Sequence, residues 1–363
     1  MTAGWVGLIG LAVALLASGV RQLSAEPYLA VQQGYKCSAC HVNPTGGGLR
    51  TAFGIAFAEN VMPARGLPAA MPVWSGDFGE RLRGGGDVRA SVRRTQLPNS
   101  AAQRESGLDQ LRLYANLELL PQRLAVYVDA AVAPGNAQLL EAYGKLSDAA
   151  TGLYIKAGQF YLPFGWRLQD QTALVREVTG IGMTAPDSGV ELGLDRPDWS
   201  AQIDVSRNMA NADSGFGNRV TGQLVWVRSL FRVGSAASYM RSSAGERHLA
   251  GVFAGFRSGA VAWLGEADLV LDSGFPEGTR SMAVGLAEAD WALRKGHNLK
   301  FTAEYFDPDR AVREDQKTRW SLLYEWTPIP FVQLRVGFRR LRGIPQNDFD
   351  NRHALFVEIH GFL

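Results

Sequence analysis

At 363 residues, with 46% hydrophobic and 20% charged side chains, the chain is long enough for one large domain or two ordinary ones, and composition alone would pass it as soluble. Lys and Arg number 37 against 35 Asp and Glu, so the near-balanced charge favours neither nucleic acid nor a strongly acidic partner. The only two cysteines lie three positions apart, which excludes a disulfide framework and points their pairing toward chemistry.

The apolar run from Trp5 to Ala17 is too short to cross a bilayer as a mature helix, and a small-residue stretch ending Leu23-Ser24-Ala25 follows it. This predicts a secretory signal over residues 1–25, cut after Ala25. The first basic residue is Arg21, so an uncleaved anchor is the alternative. No other segment is long and apolar enough to span as a helix. Residues 26–72 are compact and rich in motifs, and from residue 73 to 363 the chain changes to short alternating segments broken by Gly, Pro, Asn and Asp.

In the front segment, Cys37-Ser38-Ala39-Cys40-His41 has the spacing of c-type haem attachment. Two thiols one turn apart can add to the haem vinyls, and a histidine immediately after them becomes an axial iron ligand, giving one covalent haem c. A redox pair between Cys37 and Cys40 is the first alternative; a zinc site lacks a fourth ligand of this kind in the segment. The turn Val42-Asn43-Pro44-Thr45-Gly46-Gly47-Gly48 lets backbone approach a flat ligand closely. A helix is predicted over residues 49–62, with Leu49, Ala52, Phe53, Ala56, Phe57 and Val61 on one face to cover the porphyrin. Met62, just before Pro63, is the candidate distal ligand, with Met71 and the barrel histidines His248, His297 and His360 as alternatives, and Arg50 is a candidate partner for a haem propionate.

Beyond residue 73 apolar residues recur at every second position. Leu111, Leu113, Ala115 and Leu117 alternate with Arg112, Tyr114, Asn116 and Glu118, and Val332, Leu334, Val336 and Phe338 alternate with Gln333, Arg335 and Arg339. About sixteen such segments fit the length, with long and short connections alternating, as in an outer-membrane antiparallel β-barrel with long outside loops and short periplasmic turns. Trp199, Trp226, Trp263, Trp291, Trp320 and Trp326 fall near segment ends, as interfacial girdles require, and the chain stops in a strand whose last aromatic is Phe362. A soluble β-sandwich or propeller is the competing fold. Inward polar residues such as Arg335, Arg339, Glu325, Lys156 and Glu118 are candidates to hold an inserted front segment.

The stretch from Tyr154 to Trp166, with its Leu162-Pro163-Phe164-Gly165 turn, resembles the strand and following loop of phosphate-selective (O/P type) porins. That resemblance implies an inward-folded third loop over residues 162–187; no comparable basic ladder is present, so anion specificity does not carry over. The whole order of signal, one Cys-x-x-Cys-His, short linker and barrel resembles the fused monohaem cytochrome-porins of iron-oxidising bacteria, and Cys37, Cys40 and His41 transfer onto it residue by residue. The resemblance implies electron transfer from extracellular ferrous iron to a periplasmic c-type cytochrome, an iron:cytochrome c oxidoreductase activity. Porins of this type often assemble as trimers, so the resemblance also implies a homotrimer as one possible assembly. Because a bilayer is about 40 Å across with its headgroups, a single haem serves transmembrane transfer only if it lies inside the barrel. The alternative function is a solute-transporting porin whose haem segment gates, senses or tethers, and a third is a sheath for a separate multihaem protein.

Overall fold

The computed structural model describes residues 26–68, 74–208 and 217–363. The signal segment predicted over residues 1–25 and the alternative ligand Met71 therefore lie outside the described residues. Sixteen antiparallel strands run in chain order around a closed barrel: β1 (Leu82–Gln96), β2 (Gln103–Leu120), β3 (Leu124–Ala133), β4 (Gln138–Asp148), β5 (Leu153–Phe160), β6 (Asp187–Asp195), β7 (Trp199–Asn208), β8 (Asn218–Val227), β9 (Phe231–Ser242), β10 (Gly245–Ser258), β11 (Val261–Phe275), β12 (Gly278–Arg294), β13 (His297–Asp307), β14 (Lys317–Ile329), β15 (Val332–Arg342) and β16 (His353–Phe362). The last strand closes on the first, with Val92 opposite Val357 and Asp87 opposite Phe362.

The period-two pattern has its physical reason in the closure. Leu113, Val205, Val252 and Leu269 are at least half exposed on the outer face, while Arg112, Asp129, Lys156 and Glu191 are buried inside. A soluble sandwich buries the apolar set; this barrel turns it outward, to lipid, and turns the charged set into its lumen. Trp199, Trp226, Trp263, Trp291 and Trp326 lie near the strand ends joined by short turns, with Phe256 stacked on Trp263 at 6.1 Å, and form a girdle at that rim. Connections on the opposite, extracellular side are not uniformly long, because β9 to β10 and β11 to β12 turn over in two residues. Phe362 also departs from the girdle role. Its parity places it inward, 2% exposed, with the Arg50 guanidinium 4.6 Å above its ring.

The lumen is filled rather than open. From the side of the short turns comes residue 26 onward: α1 (Pro27–Gln33), α2 (Cys37–Cys40) and α3 (Ala52–Asn60). From the other side residues 161–186 fold in, carrying α4 (Leu174–Thr179). Tyr28 and Val31 of the front segment, and Phe164, Trp166, Leu174 and Val178 of the inward loop, pack with Val225, Phe253, Leu264 and Leu286 on the inner wall. The hydrophobic core of this protein is thus inside its barrel. The rest of the wall is charged and paired across neighbouring strands, as Lys156 with Glu191 at 2.9 Å, Arg335 with Glu325 at 2.8 Å and Arg335 with Glu358 at 3.0 Å.

Of the inward residues singled out in the sequence, two touch the front segment. Arg335 binds Glu26 at 3.0 Å, and Glu325 accepts the Tyr28 hydroxyl at 3.2 Å. Lys156 is spent on Glu191, Arg339 on Asp170 of the inward loop, and Glu118 accepts the Gln122 backbone amide at the rim. Lys300 adds a second cation to Glu26 at 2.6 Å. Charge-assisted hydrogen bonds of this kind contribute about 1.5–3 kcal/mol each. Glu26→Ala should therefore free the leading end of the segment, so that trypsin cuts it at lower urea than in the unaltered protein, while the strands keep the heat-modifiable migration of a folded barrel.

Candidate functional site

The motif is built by a short helix and a pinned loop. α2 closes with the His41 amide on the Cys37 carbonyl at 2.9 Å, leaving the histidine extended at its end. The chain then doubles back: the Val42 amide donates to the Leu49 carbonyl at 3.0 Å and the Thr51 amide to the Cys40 carbonyl at 3.0 Å. Asn43, fully buried, donates to Glu141 on β4 at 2.9 Å and accepts from the Thr45 amide and hydroxyl, so the Asn-Pro-Thr turn is tied to the wall. Gly48 has φ +64°, and a Cβ there would lie 2.0 Å from the Tyr127 hydroxyl, which accepts the Leu49 amide at 3.1 Å. The close approach read from the glycine run is thus made to Tyr127.

The helix predicted over 49–62 is shorter, because Thr51 caps it through the Gly54 amide at 3.0 Å. Its faces also differ from the predicted ones. Ile55 and Ala58 are the residues packed on Phe331 and Phe362, Leu49 is sealed in the wall, and Phe53 and Val61 are exposed. The reason is Gly54, whose Cβ would meet the Cys40 carbonyl oxygen at 2.2 Å. The helix lies on the motif through this glycine, which rotates the 53/61 face away.

Cys37, Cys40 and His41 border a cavity of about 1150 Å³, part of it open to solvent. Phe57 and Met62 line it from the front segment, Trp166 and Arg167 from the inward loop, and Arg232, Phe253 and His360 from the wall. Both thiols are free. Burial and the neighbouring Cys37 push the Cys40 thiol up to about 11, so it stays protonated at neutral pH and is a poor exchange thiolate. Burial, helped by the positive charges of Arg50 and Arg167, holds His41 down to about 3 against the pull of the Gly47 and Gly48 carbonyls. Its ring is therefore neutral, the form that coordinates iron. Nδ1 of His41 has no hydrogen-bond partner among the described residues. A second cavity, of about 1320 Å³ with its solvent-open part, reaches His41 from the mouth formed by the short turns, past Gln122, Arg123 and Asp148.

The residues at this cavity fit a haem c. Two thiols and a neutral imidazole converge on a space walled by aromatic rings. Met62 and His360 border the same space, whereas His248 and His297 are on the outer face, His297 stacked on Trp326 at 6.0 Å. His360 is bound to Asp87 at 3.0 Å and to Arg89, which leaves Met62 the freer donor. The pattern of Arg167 and Arg232 went unread in the sequence. The signal was present for Arg232, a lone cation at an inward position of β9 whose other inward residues are Gly234, Ala236, Ser238, Met240 and Ser242.

No known family model matches the chain, and no curated protein matches it by sequence. Solved structures do resemble it in fold. An anion-selective porin from Comamonas acidovorans matches with a TM-score of 0.61 at 11% identity, over 78% of this chain and 99% of that one. In-vitro folded OmpT of Vibrio cholerae in its trimer form matches at 0.59 and 10%, over 78% and 100%. The outer-membrane channel DcaP of Acinetobacter baumannii matches at 0.57 and 11%, over 77% and 96%. The closed sixteen-strand barrel is the fold of these bacterial outer-membrane porins, and its outward apolar belt suits a lipid surrounding.

Gly54→Ala tests how the cavity is built. The added methyl pushes α3 off the motif, at a cost of about 1–3 kcal/mol for overpacking. The front segment should then become protease-sensitive while barrel migration on gels is unchanged; equal resistance would show that α3 is not held through Gly54.

Proposed function

We propose that this protein is an outer-membrane electron conduit, carrying one haem c joined to Cys37 and Cys40 and ligated by His41. It passes electrons between an extracellular donor, ferrous iron in the family it resembles, and a periplasmic c-type cytochrome. The observation that carries this reading is the placement of the motif. Cys37, Cys40 and His41 border a cavity enclosed between a lumen-filling segment and an inward loop, and a second cavity reaches His41 from the short-turn mouth. Bound there, haem c supplies a one-electron centre within the membrane profile. The chain's own groups do the rest. Cys37 and Cys40 are the attachment points, and the neutral His41 ring is a ready axial ligand. Met62, which lines the cavity, is the candidate second iron ligand, and a thioether there would raise the potential relative to a second histidine. Phe57 and Trp166 line the cavity with apolar surface.

A second reading is favoured by the neighbours, which include an anion-selective porin and an outer-membrane channel. On that reading the barrel transports a solute and the front segment gates, senses or tethers. A homotrimer is the expected assembly on either reading, since OmpT of the same fold is described in a trimer form.

Two measurements separate the readings. A pyridine haemochrome spectrum should show one covalent haem per chain, lost in Cys37→Ala; a haem-free protein would sink the conduit. In liposomes with ferrous iron outside and a cytochrome c inside, reduction of the cytochrome should require the protein and stop with His41→Ala. Solute-driven swelling without electron passage would instead establish the transporting porin.

A further inference from the structure

The outward face of the barrel is apolar over most of its height, and at one place its rim is strongly basic. At the strand ends opposite the short turns, on the four neighbouring strands β2, β1, β16 and β15, stand Arg104, Arg94, His353, Arg340 and Arg342, all of them exposed. Strand parity puts them on the lipid side. Arg94 is two positions from Val92, His353 two from Leu355 and Arg340 four from Val336, and these apolar residues are turned outward. The ladder sets the basic groups side by side. Arg94 faces Arg104 across β1 and β2, and Arg340 faces His353 across β15 and β16. His353 is also two places beyond Leu355, the residue opposite Arg94, so the two pairs join into one row across the seam where the last strand closes on the first.

Like charges directly opposite each other on a sheet are destabilising. Farther round the same rim the ladder avoids this, since Arg241 faces Glu246 across β9 and β10 at 3.7 Å. None of the five basic residues has a carboxylate within ion-pair distance among the described residues. The acidic residues of the connection from β15 to β16 are held by other groups, Asp350 by Lys317 at 2.7 Å and Asp348 by Asn99 at 3.2 Å, and Glu105 is opposite Arg93 on the inward side of the ladder. The basic row begins where the apolar belt stops. On β15 the outward residues are Val332, Leu334, Val336 and Phe338 before Arg340, and on β16 they are Ile359, Val357 and Leu355 before His353. Trp320, which is not part of the short-turn girdle, faces Arg340, and its ring is 5.2 Å from Phe338, itself 6.0 Å from the His353 ring. Aromatic side chains of this kind mark the headgroup level of a bilayer. A molecule that fits this surface has acyl chains to lie on Val92, Leu355 and Val336 and an anionic head to meet the arginines, whose forks match phosphate oxygens.

We propose that Arg94, Arg104, His353, Arg340 and Arg342 form a seat for a phosphate-bearing glycolipid of the outer leaflet. This rests on the barrel lying in the outer membrane and is independent of what the lumen cavity holds. The lipid's phosphates supply the counter-charge that the facing arginines lack, and because the row crosses from β2 to β15 the bound lipid ties the closing seam of the barrel together.

The purified full chain in detergent is titrated with bisphosphorylated lipid A, with the same lipid stripped of its phosphates, and with inorganic phosphate. Binding is read from lipid adducts in native mass spectra and from the thermal unfolding midpoint. Wild type should retain the bisphosphorylated lipid and unfold at a higher temperature with it, and should bind the phosphate-free form about tenfold more weakly or worse. Arg94→Gln/Arg340→Gln should lose about tenfold or more in affinity for the bisphosphorylated lipid, whereas Arg241→Gln, at the paired rim position, should match wild type. Arg94→Lys/Arg340→Lys keeps the charge without the fork and should fall between the two. Undiminished retention by a folded glutamine pair would overturn the proposal. Equal affinity of wild type for the two lipid forms would overturn it without recourse to any variant. Equal stabilisation by inorganic phosphate would assign the row to a free anion, and a glutamine pair that loses its oligomeric mass while keeping the lipid would assign it to an interface between copies; either result overturns the lipid seat.

Discussion

The interaction on which this structure depends is the pairing of charged side chains that the barrel turns away from lipid. Closing sixteen strands presents alternate residues to an interior with too little water to solvate them freely, so each buried charge needs a partner. Most find one on the next strand, as Lys156 finds Glu191 and Arg335 finds Glu358. The remainder recruit the lumen's contents. Glu26 answers Lys300 and Arg335, and Asp170 answers Arg319 and Arg339, so the segment and the loop are held by the wall's own surplus.

That logic separates two regions of the inner wall. On β8 to β12 the inward residues include Val225, Ala236, Phe253, Leu264 and Leu286, which receive α1 and the inward loop as a conventional core. Elsewhere the wall is ionic and fixes orientation. Apolar burial holds the contents in, while the ion pairs determine how they are turned. The motif is positioned by both, with Leu49 sealed against the wall and Asn43 tied to Glu141.

Filling the lumen also distinguishes this chain from an open porin of the same fold. Arg167 of the inward loop donates to Thr45 of the front segment, so the two insertions meet across the barrel's interior. The space left between them is lined by thiols, a neutral imidazole, aromatic rings and the guanidinium groups of Arg50, Arg167 and Arg232.

Much of this was legible in the sequence because it is written in local periods. Strand alternation in Leu111 to Leu119, the spacing of Cys37, Cys40 and His41, and the Leu162-Pro163-Phe164-Gly165 turn each depend on neighbours a few positions apart, and such neighbours are set by backbone geometry. The faces of α3, the inward turn of Phe362, the two-residue outer hairpins and the convergence of Arg50, Arg167 and Arg232 were not legible. The seat of Phe362 and the arginine convergence depend on residues up to 313 positions apart, as Arg50 and Leu363 are, brought together only when the barrel closes; the faces of α3 turn on the packing of Gly54 against Cys40, and the outer hairpins on which ladder pairs form. What the sequence alone determined is which residues face out of the barrel and that two thiols and an imidazole stand together on one short segment; what only the tertiary structure decided is how the inward charges pair, because pairing is a property of the closed wall and its contents together.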